Sequence, residues 1–343
     1  MRQISLAMIG FGNVGRAFAR LMLAKQDDLQ DNYALSLRVT GIATLRHGIT
    51  IRRDGIDLAR ALALFEGGQS LGPLGDTISP LSNLDFIQAC PADALLENSP
   101  VNHETGQPAI DHLQAALQKG MHAITANKGP VVHGYQALSE LAAQKGRRFL
   151  FESTVMDGAP IFSLFRGPLP AAQLNGFFGI LNSCTNYILG RMEKGETFDQ
   201  AVAAAQSIGI TETDPSDDID GWDAAIKVAA LSTVLLRTPL TPQQVDRHGI
   251  RWISPEMIAQ AAQENMRWKL VCRAKRRGAR VEGRVAPEKI AAGSPLYSIS
   301  GTSSYVQFDT DVLPGLGILE SNPGPKTTAY GLLADLVNAA RDA

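Results

Sequence analysis

Cysteine is scarce in this chain: Cys90, Cys184 and Cys272 are odd in number and far apart. That spacing builds neither a disulfide framework nor a zinc knuckle. The six histidines are scattered without metal-ligand spacing. Neither sign of charge dominates, with 32 Lys and Arg against 34 Asp and Glu and a net charge of −2. The strongly basic balance that nucleic-acid binding favours is missing. No apolar run reaches the roughly 18 uninterrupted residues of a membrane helix. The opening "MRQISLAMIG" enters a strand-like segment with no secretory cleavage pattern behind it. The expectation is a cytoplasmic protein without nucleic-acid or membrane partners.

What the chain does have is length and apolar content. Its 343 residues exceed the size at which one core usually stops growing, so two domains are expected. A hydrophobic share of 45% with 19% charged residues fits a globular protein. The one basic cluster, Arg273, Lys275, Arg276, Arg277 and Arg280, lies between two alternating stretches and around Gly278. It reads as a solvated hairpin turn.

"ISLAMIGFGNVGRAFARLMLAK" reads as a buried strand, a glycine turn and an amphipathic helix. "LSLRVTGIA" and "ADALLEN" are further strand candidates, and "AIDHLQAALQKGMHAITANKGP" gives a helix, a stop at Gly120 and another strand. "YQALSELAAQKGRRFLFEST" repeats that rhythm. Alternation of this kind predicts an α/β fold, a Rossmann-type doubly wound parallel sheet. After about residue 150 the rhythm changes to strand, several helices, hairpin and a closing helix "TTAYGLLADLVNAARDA". The predicted division is a dinucleotide-binding domain over 1–150, completed by 315–343, and an α+β domain over 151–314.

Gly10, Gly12 and Gly15 form G-x-G-x-x-G between the first strand and helix. The first glycine permits the tight turn, the second lets backbone approach a pyrophosphate, and the third lets helix pack on strand. The helix N-terminus adds unpaired N–H groups for the phosphates. An NAD site usually carries an acid at the end of the second strand. None stands between Asp31 and Asp54, whereas Arg46 follows "GIA" by three residues. A guanidinium there can grip a 2′-phosphate, so NADP is favoured over NAD. The expected cofactor contacts are Gly10, Phe11, Gly12, Asn13, Val14, Gly15, Arg46, Ser99, Lys128 and Gly324.

"ITETDPSDDIDGWDAAIK", residues 210 to 227, gathers carboxylates ahead of one lysine. Asp223 and Lys227 stand four apart and share a helix face. Small or apolar residues surround Lys227 from Ala224 to Leu231, so this helix is expected to be buried. A buried ammonium is costly unless paired and shifts its pKa readily, as a proton-transferring lysine must. The same spacing also suits a simple surface ion pair. Asp220 is expected as an N-cap, Asp214-Pro215-Ser216 as a turn, and Asp217 as solvated. Glu212 and Asp218 remain as candidates to face a substrate amine.

The glycine turn, "TANKGP", "TNYIL" and "TETDPSDDIDGWDAAIK" together resemble homoserine dehydrogenases, in a short form without a C-terminal regulatory domain. The resemblance implies NAD(P)-dependent interconversion of L-homoserine and L-aspartate 4-semialdehyde, in threonine and methionine biosynthesis, by a homodimer. It implies Lys227 as the proton-transferring group with Asp223 as its partner, and Lys128 between nicotinamide and substrate. Glu212, with Asp218 nearby, would hold the substrate amine, beside Ser183 and Cys184. It further implies a monovalent cation, sodium or potassium, at Glu152, Val155, Asp157 and Ala159. "SCTNYIL" departs from the family's "GTTNYIL" at Ser183 and Cys184, and "SNPGPKTTAYG" keeps only Gly324 of a glycine-rich loop. A dehydrogenase of this build acting on another small hydroxy acid is the alternative. Two others are an aldehyde dehydrogenase using Cys184 as nucleophile and a nucleotide sensor without turnover.

Overall fold

The computed structural model describes residues 1–76, 82–211 and 213–341. They form two compact units, one of residues 1–160 with the C-terminal segment from Gly324, the other of Ile161–Pro323.

The first unit opens with β1 (Arg2–Ile9), α1 (Asn13–Tyr33), β2 (Leu35–Ala43) and β3 (Ile49–Ile51). α2 (Leu58–Glu66), α3 (Asn83–Ala89), β4 (Ala94–Glu97), α4 (Ala109–Lys119) and β5 (His122–Thr125) follow. α5 (Lys128–His133), α6 (Tyr135–Gln144) and β6 (Phe149–Leu150) complete the alternation. The strands form one sheet in the order β3-β2-β1-β4-β5-β6. All pairings are parallel except β2 with β3. Parallel strands are buried on both faces and read as unbroken apolar runs, as Leu6-Ala7-Met8-Ile9 does. The sheet is therefore doubly wound with one antiparallel edge. The three-residue β3 is too short to show a period of its own.

The second unit holds α7 (Phe162–Arg166), β7 (Leu174–Ile180), α8 (Ser183–Met192), α9 (Phe198–Ser207), α10 (Ser216–Ile219) and α11 (Trp222–Val234). Then come β8 (Asp246–Arg247), α12 (Pro255–Gln263), β9 (Met266–Arg277), β10 (Arg280–Ala291), β11 (Ser304–Thr310) and β12 (Leu316–Glu320). Its sheet runs β12-β11-β7-β9-β10-β8, antiparallel apart from β8 against β10. The basic cluster is the β9–β10 hairpin, turning at Gly278 with φ +61°. Arg273 is tied to Glu288 and Arg276 donates to the Leu236 carbonyl, while Arg277 and Arg280 are exposed.

α13 (Pro325–Arg341) returns to the first unit, where Ala329, Leu332, Leu333 and Leu336 join the core that α1 and the sheet share. The units divide at 160 and 324, where the sequence placed the breaks at 150 and 315. Residues 316–320 are claimed by the second sheet as β12, paired with β11.

Candidate active site

In the first unit, β1 ends at Ile9 and the chain turns through Gly10 at φ +91°, a conformation side chains rarely adopt. A Cβ at Gly10 would stand 2.5 Å from the Asn98 carbonyl oxygen, and one at Gly15 2.6 Å from the Gly10 carbonyl oxygen. A Cβ at Gly12 would meet nothing within 4 Å. Gly12 is also the N-cap of α1, with no side chain bonded to the helix's first N–H groups. Open space over free N–H donors is what a pyrophosphate requires. Phe11 is buried, Asn13 accepts from the Arg16 guanidinium at 2.9 Å, and Val14 is half-buried against the core.

Arg46 is exposed on the turn that follows β2. Its neighbour His47 stacks on Phe65 with ring centroids 4.1 Å apart, and the Arg16 guanidinium lies 4.7 Å from the same ring. Phe65 also meets Phe11 of the glycine turn, with centroids 5.6 Å apart, and so joins the Arg46 turn to it. Ser99 follows β4. Its carbonyl accepts from Asn127 Nδ2 at 3.1 Å, and Asn127 Oδ1 caps α5 by accepting from Gly129 N at 3.0 Å. Lys128 begins that helix and is half-buried. Both amide atoms of Asn98 and the Ser99 hydroxyl are buried without a hydrogen-bond partner among the described residues, beside the glycine turn. Orphaned polar atoms at the C-terminal ends of parallel strands fit a dinucleotide, since ligands of open α/β sheets bind there. Sequence reasoning missed Asn98 and Asn127. A neutral amide in a loop carries no periodic signal.

The turn after β6 holds the four residues expected at a cation. Glu152 and Val155 are buried, and Glu152 N donates to Asp335 Oδ2 at 2.7 Å. Asp157, at φ +46°, accepts from Thr327 Oγ1 at 2.9 Å, and Ala159 N donates to the Met156 carbonyl at 2.9 Å. At the start of α13 the Gly324 carbonyl accepts from the Thr328 hydroxyl at 3.1 Å, and Gly324 N donates to Thr327 Oγ1 at 2.8 Å. Among the described residues no three His, Cys, Asp or Glu side chains gather into a metal cluster.

In the second unit, α11 is buried from Ala224 to Thr233 except at Lys227, with Trp222, Asp223 and Val234 half-buried at its ends; the Asp223 and Lys227 side chains are 18% and 16% exposed. Lys227 Nζ lies 2.9 Å from Asp223 Oδ2 and donates to the Leu181 carbonyl at 2.7 Å. The pair is half-buried, less open than an exposed surface ion pair such as Arg277 with Glu282. α10 brings Asp218 to the same place. Asn182, the N-cap of α8, donates from Nδ2 to Asp218 Oδ1 at 2.7 Å and to Asp223 Oδ2 at 3.0 Å. Thr211 Oγ1 donates to Asp218 Oδ2 at 2.7 Å. Burial first, and then the Asp223 charge, raises the Asp218 carboxyl above the ordinary range. Asn182, absent from the sequence-level candidates, thus joins the two acids.

Ser183 opens α8 with its hydroxyl 3.3 Å from that of Ser304. Cys184 is buried, and burial followed by the Asp218 charge pushes its thiol well above the ordinary range. A nucleophilic thiol needs the opposite shift. Glu212 lies outside the described residues. Asp220 is not the cap of α11. Gly221, at φ +82°, takes that position, and the Asp220 carboxylate is drawn away to Arg251, with NH2–Oδ2 at 3.0 Å. Asp214 accepts from Ser216 N at 3.0 Å in the expected turn, and Asp217 is exposed.

The profile of homoserine dehydrogenase matches residues 160–337, and that of the homoserine dehydrogenase NAD binding domain matches residues 10–152. An NAD(+)-dependent homoserine dehydrogenase of Pseudomonas canavaninivorans is 34% identical, over 100% of this chain and 98% of its own. A homoserine dehydrogenase of Methanocaldococcus jannaschii is 33% identical, over 98% of each chain. The solved structure of a hyperthermophilic archaeal homoserine dehydrogenase in complex with NADPH is 28% identical. It superimposes with a TM-score of 0.83 over 100% of this chain and 99% of its own. The chain belongs to the homoserine dehydrogenase family of NAD(P)-dependent oxidoreductases that act on a CH–OH group.

Proposed function

We propose that Lys227 is the proton-transferring group for the interconversion of L-homoserine and L-aspartate 4-semialdehyde. The observation that carries this is an ammonium set among the buried residues of α11 and held between Asp223 and the Leu181 carbonyl. When bound at the glycine turn, a nicotinamide dinucleotide supplies or accepts the hydride. In reduction Lys227 gives its proton to the oxygen that becomes the hydroxyl. In oxidation neutral Lys227 takes the hydroxyl proton, so the oxidative rate rises with pH. Asp223 orients Lys227 and favours its charged form. Asp218, with Glu212, receives the substrate's ammonium end, and Ser183 and Cys184 border it. Lys128 places positive charge where negative charge develops on oxygen.

Gly10, Phe11, Gly12, Asn13, Val14, Gly15, Ser99 and Gly324 hold the dinucleotide. Arg46 favours NADP over NAD, supported by its exposure beside the glycine turn and the lack of an acid at the end of β2. Hard oxygen donors at Glu152, Val155, Asp157 and Ala159 suit a monovalent cation, sodium or potassium, better than a transition metal. The protein works as a cytoplasmic homodimer, a reading supported by the resemblance alone.

The test is absorbance at 340 nm with L-homoserine and NADP or NAD, together with cofactor titrations of Arg46→Ala. One lost charge-assisted contact weakens NADPH binding roughly tenfold and leaves NADH nearly unchanged. Equal loss for both cofactors contradicts the role given to Arg46.

A further inference from the structure

Lys269, on β9, has none of its surface exposed. A buried ammonium is costly unless something compensates it, yet its hydrogen bonds go to neutral acceptors. Nζ donates to Asn186 Oδ1 at 2.8 Å and to the Ile299 carbonyl at 2.6 Å. The neighbouring carboxylate, Glu193, is taken by Arg267, whose Nε lies 2.9 Å from Glu193 Oε1. Burial, and then the Arg267 charge, brings the Lys269 pKa down to about 8. A methionine would fill the same space without that penalty, so the N–H donors must be what the site uses.

Their effect is directional. An asparagine amide can turn either way, but an ammonium only donates. It therefore holds Asn186 Oδ1 toward itself and directs Nδ2 the other way, to the Gly301 carbonyl at 3.0 Å and the Ser303 carbonyl at 3.4 Å. The next residue is Ser304, whose hydroxyl faces that of Ser183. Arg267 anchors the far end of α8 through Glu193 and the same segment through the Tyr297 carbonyl, at 2.8 Å. Two cations of one strand thus pin both α8 and the segment leading to Ser304.

We infer that Lys269 is a positioning residue for the substrate, setting Ser183 against Asp218 and Lys227 by way of Asn186 and Ser304. The inference rests on the reading of Ser183 and Asp218 as substrate contacts. Steady-state kinetics on Lys269→Met and Asn186→Asp test it, the second variant keeping an acceptor for Lys269 while removing the donor to Gly301 and Ser303. Both should raise the KM for L-homoserine roughly tenfold while kcat and the KM for the dinucleotide stay near wild type. A homoserine KM within about twofold of wild type in Asn186→Asp overturns the inference whether or not Lys269→Met folds. So does a rise in both KM values that tracks a lower melting temperature, because that is the signature of a merely structural role. Lys227→Met separates the two readings. If it retains turnover, the site reading itself fails. If it abolishes turnover while Lys269→Met and Asn186→Asp leave KM untouched, only the role of Lys269 fails.

Discussion

Asn182 should be the most sensitive neutral residue of the second unit. Its Oδ1 accepts from Thr185 N at 2.8 Å, capping α8, while Nδ2 bridges Asp218 and Asp223. Losing an asparagine cap costs about 1 kcal/mol, and each hydrogen bond to a partly buried carboxylate about 1.5 kcal/mol or more. Asn182→Ala should therefore cost about 4 kcal/mol. Asn182→Asp keeps a capping oxygen but removes both donors and adds a third carboxylate about 3 Å from the others, where repulsion reaches several kcal/mol per pair at an effective dielectric of about 20. It should be the less stable variant at pH 8, recovering part of the loss as pH is lowered and the cluster, whose Asp218 already has a raised pKa, takes up a proton. Trp222, Trp252 and Trp268, the chain's three tryptophans, all lie in the second unit. Their fluorescence during urea unfolding thus reports that unit. With a slope of about 2.5 kcal/mol per molar urea, the alanine variant's midpoint should fall by roughly 1.5 M. If Asn182→Asp proves as stable as wild type, or more stable than Asn182→Ala at pH 8, the bridging role is refuted.

Two further results are expected in the first unit. Gly12→Ala should keep the wild-type melting temperature yet lose dinucleotide binding, because its Cβ enters only the space over the turn; Gly10→Ala should lower the melting temperature itself, because its Cβ meets the Asn98 carbonyl. Thermal shift with and without NADP distinguishes these, and equal melting losses in both contradict the geometry. His122 accepts from Arg148 N at 3.1 Å, and burial, followed by the Arg147 charge, lowers its pKa to about 4. Between the ordinary histidine value and about 4 the unfolded chain takes up a proton that the folded one refuses, so stability falls as pH drops through that window. Unfolding followed by far-ultraviolet circular dichroism should show a shallower acid slope in His122→Asn, and an unchanged slope contradicts the assignment.

The parts of the fold that were legible in the sequence are those with a local physical cause. β1, the glycine turn and α1 follow one another as apolar run, turn and amphipathic stripe, and Leu35–Ala43 forms the strand its apolar pattern predicts. α11 was legible as buried because it has no polar stripe apart from Asp223 and Lys227. Asp223 meets Lys227 through helix geometry alone. What stayed hidden is set by tertiary partners. β3 and β8 exist only because longer strands pair with them. Asp220 gave up a cap because Arg251, 31 residues away, offers a bidentate partner. Asn98, Asn127 and Asn182 gain their meaning from groups brought near by folding, and Lys269 reads in sequence as one more member of a basic strand.

The measurement that bears most directly on the proposed chemistry is the pH profile of L-homoserine oxidation by the wild type and Lys227→Met. In the wild type kcat should rise with pH as Lys227 loses its proton. In Lys227→Met it should fall by about a thousandfold, within the range a general acid–base group contributes, with the pH-dependent rise gone and NADP affinity unchanged. A variant that keeps kcat within about tenfold of wild type, or keeps the same rise with pH, would show that another group moves the proton.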